Sequence, residues 1–583
     1  MIGRIVGMDS TDGQTLRIAY DSKNRTDYVV SKVGDSSTKT RYLYGNTGAN
    51  QKAGLIYGVE IDDTPAVSYA YDNMARRTGR TLDLGTDYVT SYGYLAGNEA
   101  GTTTALIERL QSGPETWWYA YDAVGNITSI SKGETKEAAI LQEQYVYDGL
   151  GQIIRENSKS QDKTITYRYD GGGNLTERKE YTYSTGELGD PVQTVAYGYG
   201  DMNWKDKLTS YDGTEIAYDA IGNPLSYLGK TLIWQNGRQL ASLNDTDLTV
   251  NYAYDDSGIR IQKTVNETET KFYLNGTVIL TQMTGNERMD FLYDEAGDLL
   301  GFKYDGNSYY YIRNLQSDIT GILNSAGEQI VSYAYDAWGK LLSVAGSAAD
   351  TIGKKNPFRY RGYYYDTETG LYYLNSRYYN PEIGRYLNAD KAIPGVGGDI
   401  RGYNLFSYCM NNPINMSDPN GQWPKWIQGV ANAVENLVKK AINKAINNVK
   451  AALSSKPKVS QTTNKRPYTG KPGSTYKAPN GDTRTYGPDG KPKHDYDHSD
   501  HGYPDKHPHD ENGGHNHDWE NGVRGPAYSV NNDPLAGAAL ITVCAIGFFL
   551  VAADDITVIG IADNFLLGPL GAGVSKGLIM IFG

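Results

Sequence analysis

All seven histidines of this sequence lie between positions 494 and 517: His494, His498, His501, His507, His509, His515 and His517. Aspartates alternate with them, at Asp495, Asp497, Asp500, Asp505, Asp510 and Asp518. Imidazole moves a proton near neutral pH or ligates a metal, and a neighbouring carboxylate fixes its tautomer. Arg484, Lys491, Lys493 and Arg524 add positive charge. A base, an acid and a cation together suit phosphodiester cleavage, with nucleic acid as the substrate. The residues expected to carry it are His494, His501 and His517, with Asp497 and Asp518 orienting them and Arg524 on the phosphoryl oxygens. The second reading is a divalent metal such as zinc, held by His498, His507, His509 and His515. The third is a solvated His/Asp-rich loop, but packing gives no reason to gather every histidine in one tract.

The elements that must position this tract are short. Pro504, Pro508 and Gly513-Gly514 exclude a continuous helix across it. Upstream, the Gly-rich run from 471 reads as short strands with tight turns. Residues 425–453 place Ile427, Val430, Val434, Leu437, Ala441, Ile442, Ala445, Val449 and Leu453 at helical spacing, with Lys and Asn opposite. This amphipathic helix either packs on the protein or lies on a membrane. Residues 454–475 are a Ser/Pro/Thr/Lys-rich linker. Residues 535–553 are 19 uncharged residues, long enough to span a bilayer, and Asp554, Asp555 and Asp563 follow. A membrane contact through 535–583 and a buried apolar helical hairpin both fit.

The formal charge of −12 hides a division. Residues 422–583 carry 17 Lys+Arg against 15 Asp+Glu, and 422–493 alone carry 14 against 3, so an acidic body bears a basic segment. Two cysteines, Cys409 and Cys544, make no disulfide framework. The N-terminus MIGRIVGMDS lacks a signal peptide's apolar stretch. The expectation is a piece of a longer exported protein, secreted or at the cell surface.

Fifty tyrosines and 67 glycines set the architecture of the body. Tyr-x-Tyr-Asp occurs at Tyr69–Asp72, Tyr119–Asp122, Tyr145–Asp148, Tyr167–Asp170, Tyr252–Asp255, Tyr333–Asp336 and Tyr363–Asp366. Degenerate copies stand at Tyr197–Tyr199, Ala217–Asp219 and Phe291–Asp294. A Gly follows most of the aspartates by three, from Gly125 to Gly339. Two tyrosines at spacing two share one strand face, Asp opens a turn and Gly closes it at positive φ. Each unit is a hairpin that buries its face only against neighbours.

Tyr-x-Tyr-Asp-x-x-Gly resembles the YD repeat of Rhs proteins, Tc-toxin C components and teneurins, over residues 1–421. Residues 356–421 are similar to the Rhs-associated core, with hallmarks at Gly370-Leu371-Tyr372-Tyr373, Arg377-Tyr378-Tyr379-Asn380-Pro381, Gly384-Arg385-Tyr386-Leu387, Asn411-Asn412-Pro413 and Asp418-Pro419-Asn420-Gly421. The resemblance implies a β shell around a cargo and a pair of core aspartates that frees the tail by intramolecular aspartic proteolysis. The matching positions are Asp390 and Asp418. Lys391 stands where the commoner family form has proline, and Asp399 is a rival partner. Arg385 is expected either to hold a carboxylate ionised or to belong to the shell. Asp418 alone would also serve as an ordinary Pro-Gly turn opener.

The expected fold is mainly β. A YD-repeat hairpin shell (a partial cocoon, 1–355) precedes the core (356–421). Then come the helix and linker (422–470), a small α+β or irregular His/Asp region (471–533) and the apolar hairpin (534–583). Three functions fit. The first is a polymorphic toxin of interbacterial competition, with its own tail as cargo, an immunity protein as partner and a nuclease tail. The second is a pore former through the apolar hairpin, and the third a cell-surface adhesion or carbohydrate-binding protein with an inert tail.

Overall fold

The computed structural model describes residues 5–45, 54–99, 101–391, 400–422, 466–498, 514–520 and 522–527. The expected helix at 425–453 and hairpin at 534–583 lie outside these residues. The chain divides into two compact units, Met1–Gln428 and Gly429–Gly583. Among the described residues no helix is long and apolar enough to cross a membrane.

The first unit is an antiparallel meander in which each strand pairs with the next. Eighteen strands from Gly7–Asp9 to Thr214–Glu215 form one sheet, and fourteen from Ala217–Tyr218 to Leu341–Ala345 form a second. One local device repeats along both. In the hairpin opened by Asp122, Oδ1 accepts the N–H groups of Val124 (3.0 Å) and Asn126 (2.8 Å), while Gly125 N–H closes on the Asp122 carbonyl. The carboxylate makes the same two bonds at Asp72, Asp148, Asp170, Asp219, Asp255, Asp294 and Asp336. Asp21 and Asn324 build the same turn from less obvious sequence. From Gly125 to Gly339 the closing glycine has φ between 74° and 91°, the left-handed region where a side chain is strained.

The two tyrosines of each repeat differ in role. The first ring is buried, as at Tyr119, Tyr145, Tyr167, Tyr252 and Tyr333. The second sits at a register shift beside the turn, and its hydroxyl donates to a carbonyl on the preceding strand. Tyr121 reaches Ile107, Tyr147 reaches Ile127, Tyr169 reaches Ile153 and Tyr335 reaches Ile319. Each repeat is thus stitched to the one before it. Tyr363–Asp366 departs from the pattern: Asp366 opens no such turn. Its carboxylate is fully buried and paired with Arg260 and Lys263 of the second sheet.

The two sheets meet through Val59, Val67, Tyr69 and Leu82 of the first and Leu292, Leu300 and Ile312 of the second. The Tyr69 hydroxyl crosses that junction to Asp294. Residues 356–414 add a small four-stranded sheet, Tyr364–Asp366 to Arg385–Tyr386, and their tyrosines share one apolar cluster with both large sheets.

What fastens this core segment is polar. The residue four after the turn aspartate is an amide at four successive turns: Asn126, Gln152, Asn174 and Asn223. Each amide nitrogen bonds back to its own turn aspartate. Each amide oxygen accepts from one core asparagine: Asn412 (3.0 Å), Asn411 (2.8 Å), Asn404 (2.8 Å) and Asn388 (3.4 Å), respectively. Asn388, Asn404 and the Asn411-Asn412 of the Asn-Asn-Pro hallmark thus form a docking strip for the row of turns. Cys409, Met410 and Asn411 all have φ between 49° and 60°. Three consecutive left-handed residues cost roughly 1–2 kcal/mol each, offset here by the Asn411 bonds to Gln152 and the Gly173 carbonyl.

Inside the shell Glu156 is buried, and Glu143 and Asp336 are half-buried. Burial, with the charges of Asp336 and Glu143, pushes Glu156 up to about 8. Burial pushes Glu143 to about 7 and Asp336 to about 6. The folded state therefore holds protons that the unfolded chain releases from about pH 4.5 upward. The contribution of these groups to stability is greatest below that value and falls as pH rises toward 8, by roughly 1 kcal/mol per pH unit for each group in its titration range. Glu156→Gln keeps an acceptor for the Tyr167 hydroxyl and removes one titration. Melting curves at pH 6 and pH 8 should show a smaller loss in the variant than in the parent chain. An equal loss would refute the assignment.

Candidate functional site

The core strands bring two acids onto one guanidinium. Arg377 Nη2 lies 3.0 Å from Asp390 Oδ2 and 3.6 Å from Asp418 Oδ2, and all three side chains are buried. The guanidinium plane stacks on the Tyr386 ring, 3.6 Å from its centroid. Tyr386 donates its hydroxyl to Asp418 Oδ2 (2.6 Å), and the Tyr363 oxygen accepts the Asp418 N–H (2.7 Å). Burial raises the Asp418 carboxyl above its ordinary range, and the Asp390 charge adds to this, against Arg377 and the Tyr386 hydroxyl.

The same groups grip the next peptide of the chain. Gln422 N–H donates to Asp418 Oδ1 (3.0 Å), while Arg377 Nε donates to the Gly421 carbonyl. Ser376 Oγ holds the Asn420 carbonyl at 2.8 Å. Gly421 has φ 72°, and a Cβ there would stand 2.6 Å from the Leu374 carbonyl, so only glycine fits. A cavity of about 30 Å³, lined by Arg377, Asp390, Leu405, Asp418 and Gln422 among others, takes one water-sized molecule.

Asp390 and Asp418 thus come together as the sequence implied. Asp399 lies outside the described residues. Arg385 does not contact either carboxylate. Its guanidinium goes to Asn174 Oδ1, the Asp206 carbonyl and Asn404 Oδ1, between the rings of Tyr199 and Phe406. It belongs to the shell side of its two readings. The arginine on the carboxylates is Arg377, whose role the motif reading left unassigned. The available signal was a cation in a tyrosine-rich stretch, which is buried only with a partner.

The tail site is a five-stranded antiparallel sheet, Thr475–Lys477, Thr483–Tyr486, Pro492–Asp497, His515–Glu520 and Val523–Arg524. The expected α+β or irregular region is all β in its described part. Alternation sends Asp495, Asp497, His515 and His517 to the buried face, with Arg484. That face is an ion-pair lattice. Arg484 binds Asp495 through both Nε (2.7 Å) and Nη2 (2.8 Å). Arg524 bridges Asp495 and Asp497, and Arg466 Nη1 is 2.6 Å from Asp497 Oδ1. Burial would raise both aspartates, but the arginines hold Asp495 and Asp497 below the usual carboxylate range.

Histidines fall on both faces. His494 is a third exposed, with Nδ1 2.8 Å from Asp518 Oδ1 and Nε2 3.0 Å from Asn516 Oδ1. His517 is buried. Burial and the Arg524 charge push it below its ordinary value, so it is neutral at pH 7. Its Nδ1 meets the Gly525 carbonyl at 2.8 Å, which makes Nε2, 3.9 Å from Asp497 Oδ2, the basic nitrogen. His498 packs its ring on Tyr496, and its backbone N–H binds Asp482. His501, His507 and His509 lie outside the described residues.

Arg524 and Arg484 are both held in the lattice by Asp495 and Asp497. The four expected metal ligands include only His498 and His515 among the described residues. The group that does converge is Asp497, His515 and His517, with ligand atoms within 4.8 Å. A dication there would share Asp497 with two guanidiniums, so these described residues fit an ion-pair lattice better than a metal centre.

Known proteins bear out the architecture. The profile of the Teneurin YD-shell family matches residues 116–414, about half the chain. The tRNA nuclease WapA of Bacillus subtilis is 35% identical over 284 residues, covering 48% of this chain and 12% of WapA. Toxin subunit YenC1 of Yersinia entomophaga is 28% identical, covering 54% of this chain and 37% of YenC1. This chain therefore spans only a minor part of the relatives it matches. The crystal structure of TcdB2-TccC3-Cdc42 superposes with a TM-score of 0.56 at 20% identity, covering 71% of this chain and 22% of that one. With its Asp-capped repeat turns and its docked tyrosine-rich core, the chain belongs to the YD-shell family.

Proposed function

We propose that this chain is the shell and cargo portion of an exported polymorphic toxin of interbacterial competition, which cuts its own tail free. The observation that carries the reading is the buried Asp390–Arg377–Asp418 cluster gripping the Gly421–Gln422 peptide. The ionised member of the pair takes a proton from a water, whose oxygen attacks the peptide carbonyl carbon. Arg377 Nε stabilises the negative oxygen that forms. The protonated member passes its proton to the departing nitrogen, and the C–N bond breaks to a carboxylate and an amine. The break falls between Gly421 and Gln422, leaving a tail of about 160 residues. Removing a general acid or base typically costs ~10²–10⁴-fold in rate. Asp390→Asn and Asp418→Asn should each persist as one full-length band on a denaturing gel. Normal processing in both would refute the mechanism.

The tail reading is a nuclease, with an immunity protein as its neutralising partner. Its support is the His494–Asp518 pair, the neutral His517 on the same sheet, the basic segment before it and relatives named as tRNA nucleases. Positive charge on the phosphate then comes from Lys491, Lys493 or the basic segment, because the lattice holds Arg484 and Arg524. Residues 422–583 expressed in bacteria should arrest growth and degrade RNA or DNA, and His494→Ala or His517→Ala should relieve both. Arrest that survives both substitutions but vanishes on deletion of 534–583 would replace the nuclease with the pore reading.

A further inference from the structure

The two carboxylates of the processing pair are held from different sides. Asp418 is fixed by the core itself, through Tyr363, Tyr386 and Arg377. The backbone carrying Asp390 is fixed largely by the shell. The Asn388 side chain bonds Asn223 of the Asp219 turn, and Ala389 N–H reaches the Gly222 carbonyl of that turn at 3.4 Å. Arg238, in the turn between the second-sheet strands Lys230–Gln235 and Gln239–Asn244, donates to the Ala389 carbonyl at 2.9 Å. On its other side, Asp390 N–H and Arg377 Nη1 share the Leu405 carbonyl, at 3.0 and 2.9 Å. Leu405 follows Asn404, whose amide is clamped on Asn174 and the Gly172 carbonyl of the Asp170 turn.

We propose that Arg238 and Asn404 are positioning residues for self-cleavage, joining the Asp170 and Asp219 turns to Asp390, so that the pair assembles only when the core is seated on the shell. The inference rests on the aspartic reading of the processing site. Neither residue bonds the scissile peptide; each sets where Asp390 stands. Displacing a reacting group by about 1 Å costs on the order of 10²-fold in rate, so partial loosening should slow cleavage without preventing folding. The arrangement makes cleavage follow shell assembly, and the tail is cut only once there is a shell to hold it. Asn415 is a control of the same kind. It binds the Tyr147 hydroxyl and Ile127 N–H on the turn row but has no such link to Asp390.

The test is the first-order processing rate of the full chain, made by cell-free translation and followed on denaturing gels, with melting temperatures of the products. Arg238→Met and Asn404→Ala should process at least about tenfold more slowly, with no greater loss of melting temperature than Asn415→Ala. Arg238→Lys, which keeps a donor for Ala389, should recover much of the rate, and Asn415→Ala should process like the parent. If Asp418→Asn is blocked while Arg238→Met and Asn404→Ala process at the parent rate, the inference falls alone. It also falls if all three rim variants slow in proportion to lost stability. Normal processing of Asp418→Asn overturns the underlying reading and the inference together.

Discussion

The bond on which the rest depends is the carboxylate oxygen of a turn aspartate accepting two backbone N–H groups, two and four residues ahead. It satisfies donors that a tight hairpin leaves unpaired. It also fixes where the chain leaves the turn, and with that the register of the following strand. Because the turn recurs along one meander, the residue four after each aspartate forms a row. Four of these residues are amides, and an amide can bond its own aspartate through nitrogen while offering oxygen outward. The core segment is read by that row, one asparagine per turn.

This explains how a tyrosine-rich segment with little regular structure holds two acids and an arginine in register. Apolar packing alone is non-directional. It would bury Tyr372, Tyr379 and Tyr408 without fixing Asp390 against Asp418. The amide strip, the Asp366 pair with Arg260 and Lys263, and Arg377 supply the directional bonds. The same burial that raises Asp418 also raises Glu156 and Glu143 within the shell. The processing pair differs from those two because the Arg377 guanidinium lies against both of its carboxylates.

The hairpins were legible in the sequence because their chemistry is local: Asp and Gly at fixed offsets have one good conformation. The core hallmarks and both candidate aspartates were legible by resemblance. Three features were not. The amides at Asn126, Gln152, Asn174 and Asn223 read as ordinary strand starts, since their partners lie more than 150 residues away. Tyr363–Asp366 matched the Tyr-x-Tyr-Asp motif but has Thr369 where most repeats have the closing glycine, and it serves as a buried anchor, because a four-residue motif does not record what packs on it. In the tail, the glycines and prolines pointed to short strands, but only the cross-strand register showed Arg484 and Arg524 bound to Asp495 and Asp497.

The central claim is that a water activated by a carboxylate pair opens the chain just past Gly421. Intact-mass spectrometry of the full chain processing in ¹⁸O-enriched water tests it directly. The account predicts an N-terminal fragment ending at Gly421 with one ¹⁸O in its new carboxylate, and an unlabelled tail beginning at Gln422. An unlabelled carboxylate, a terminus elsewhere, or a chain that stays whole would contradict it.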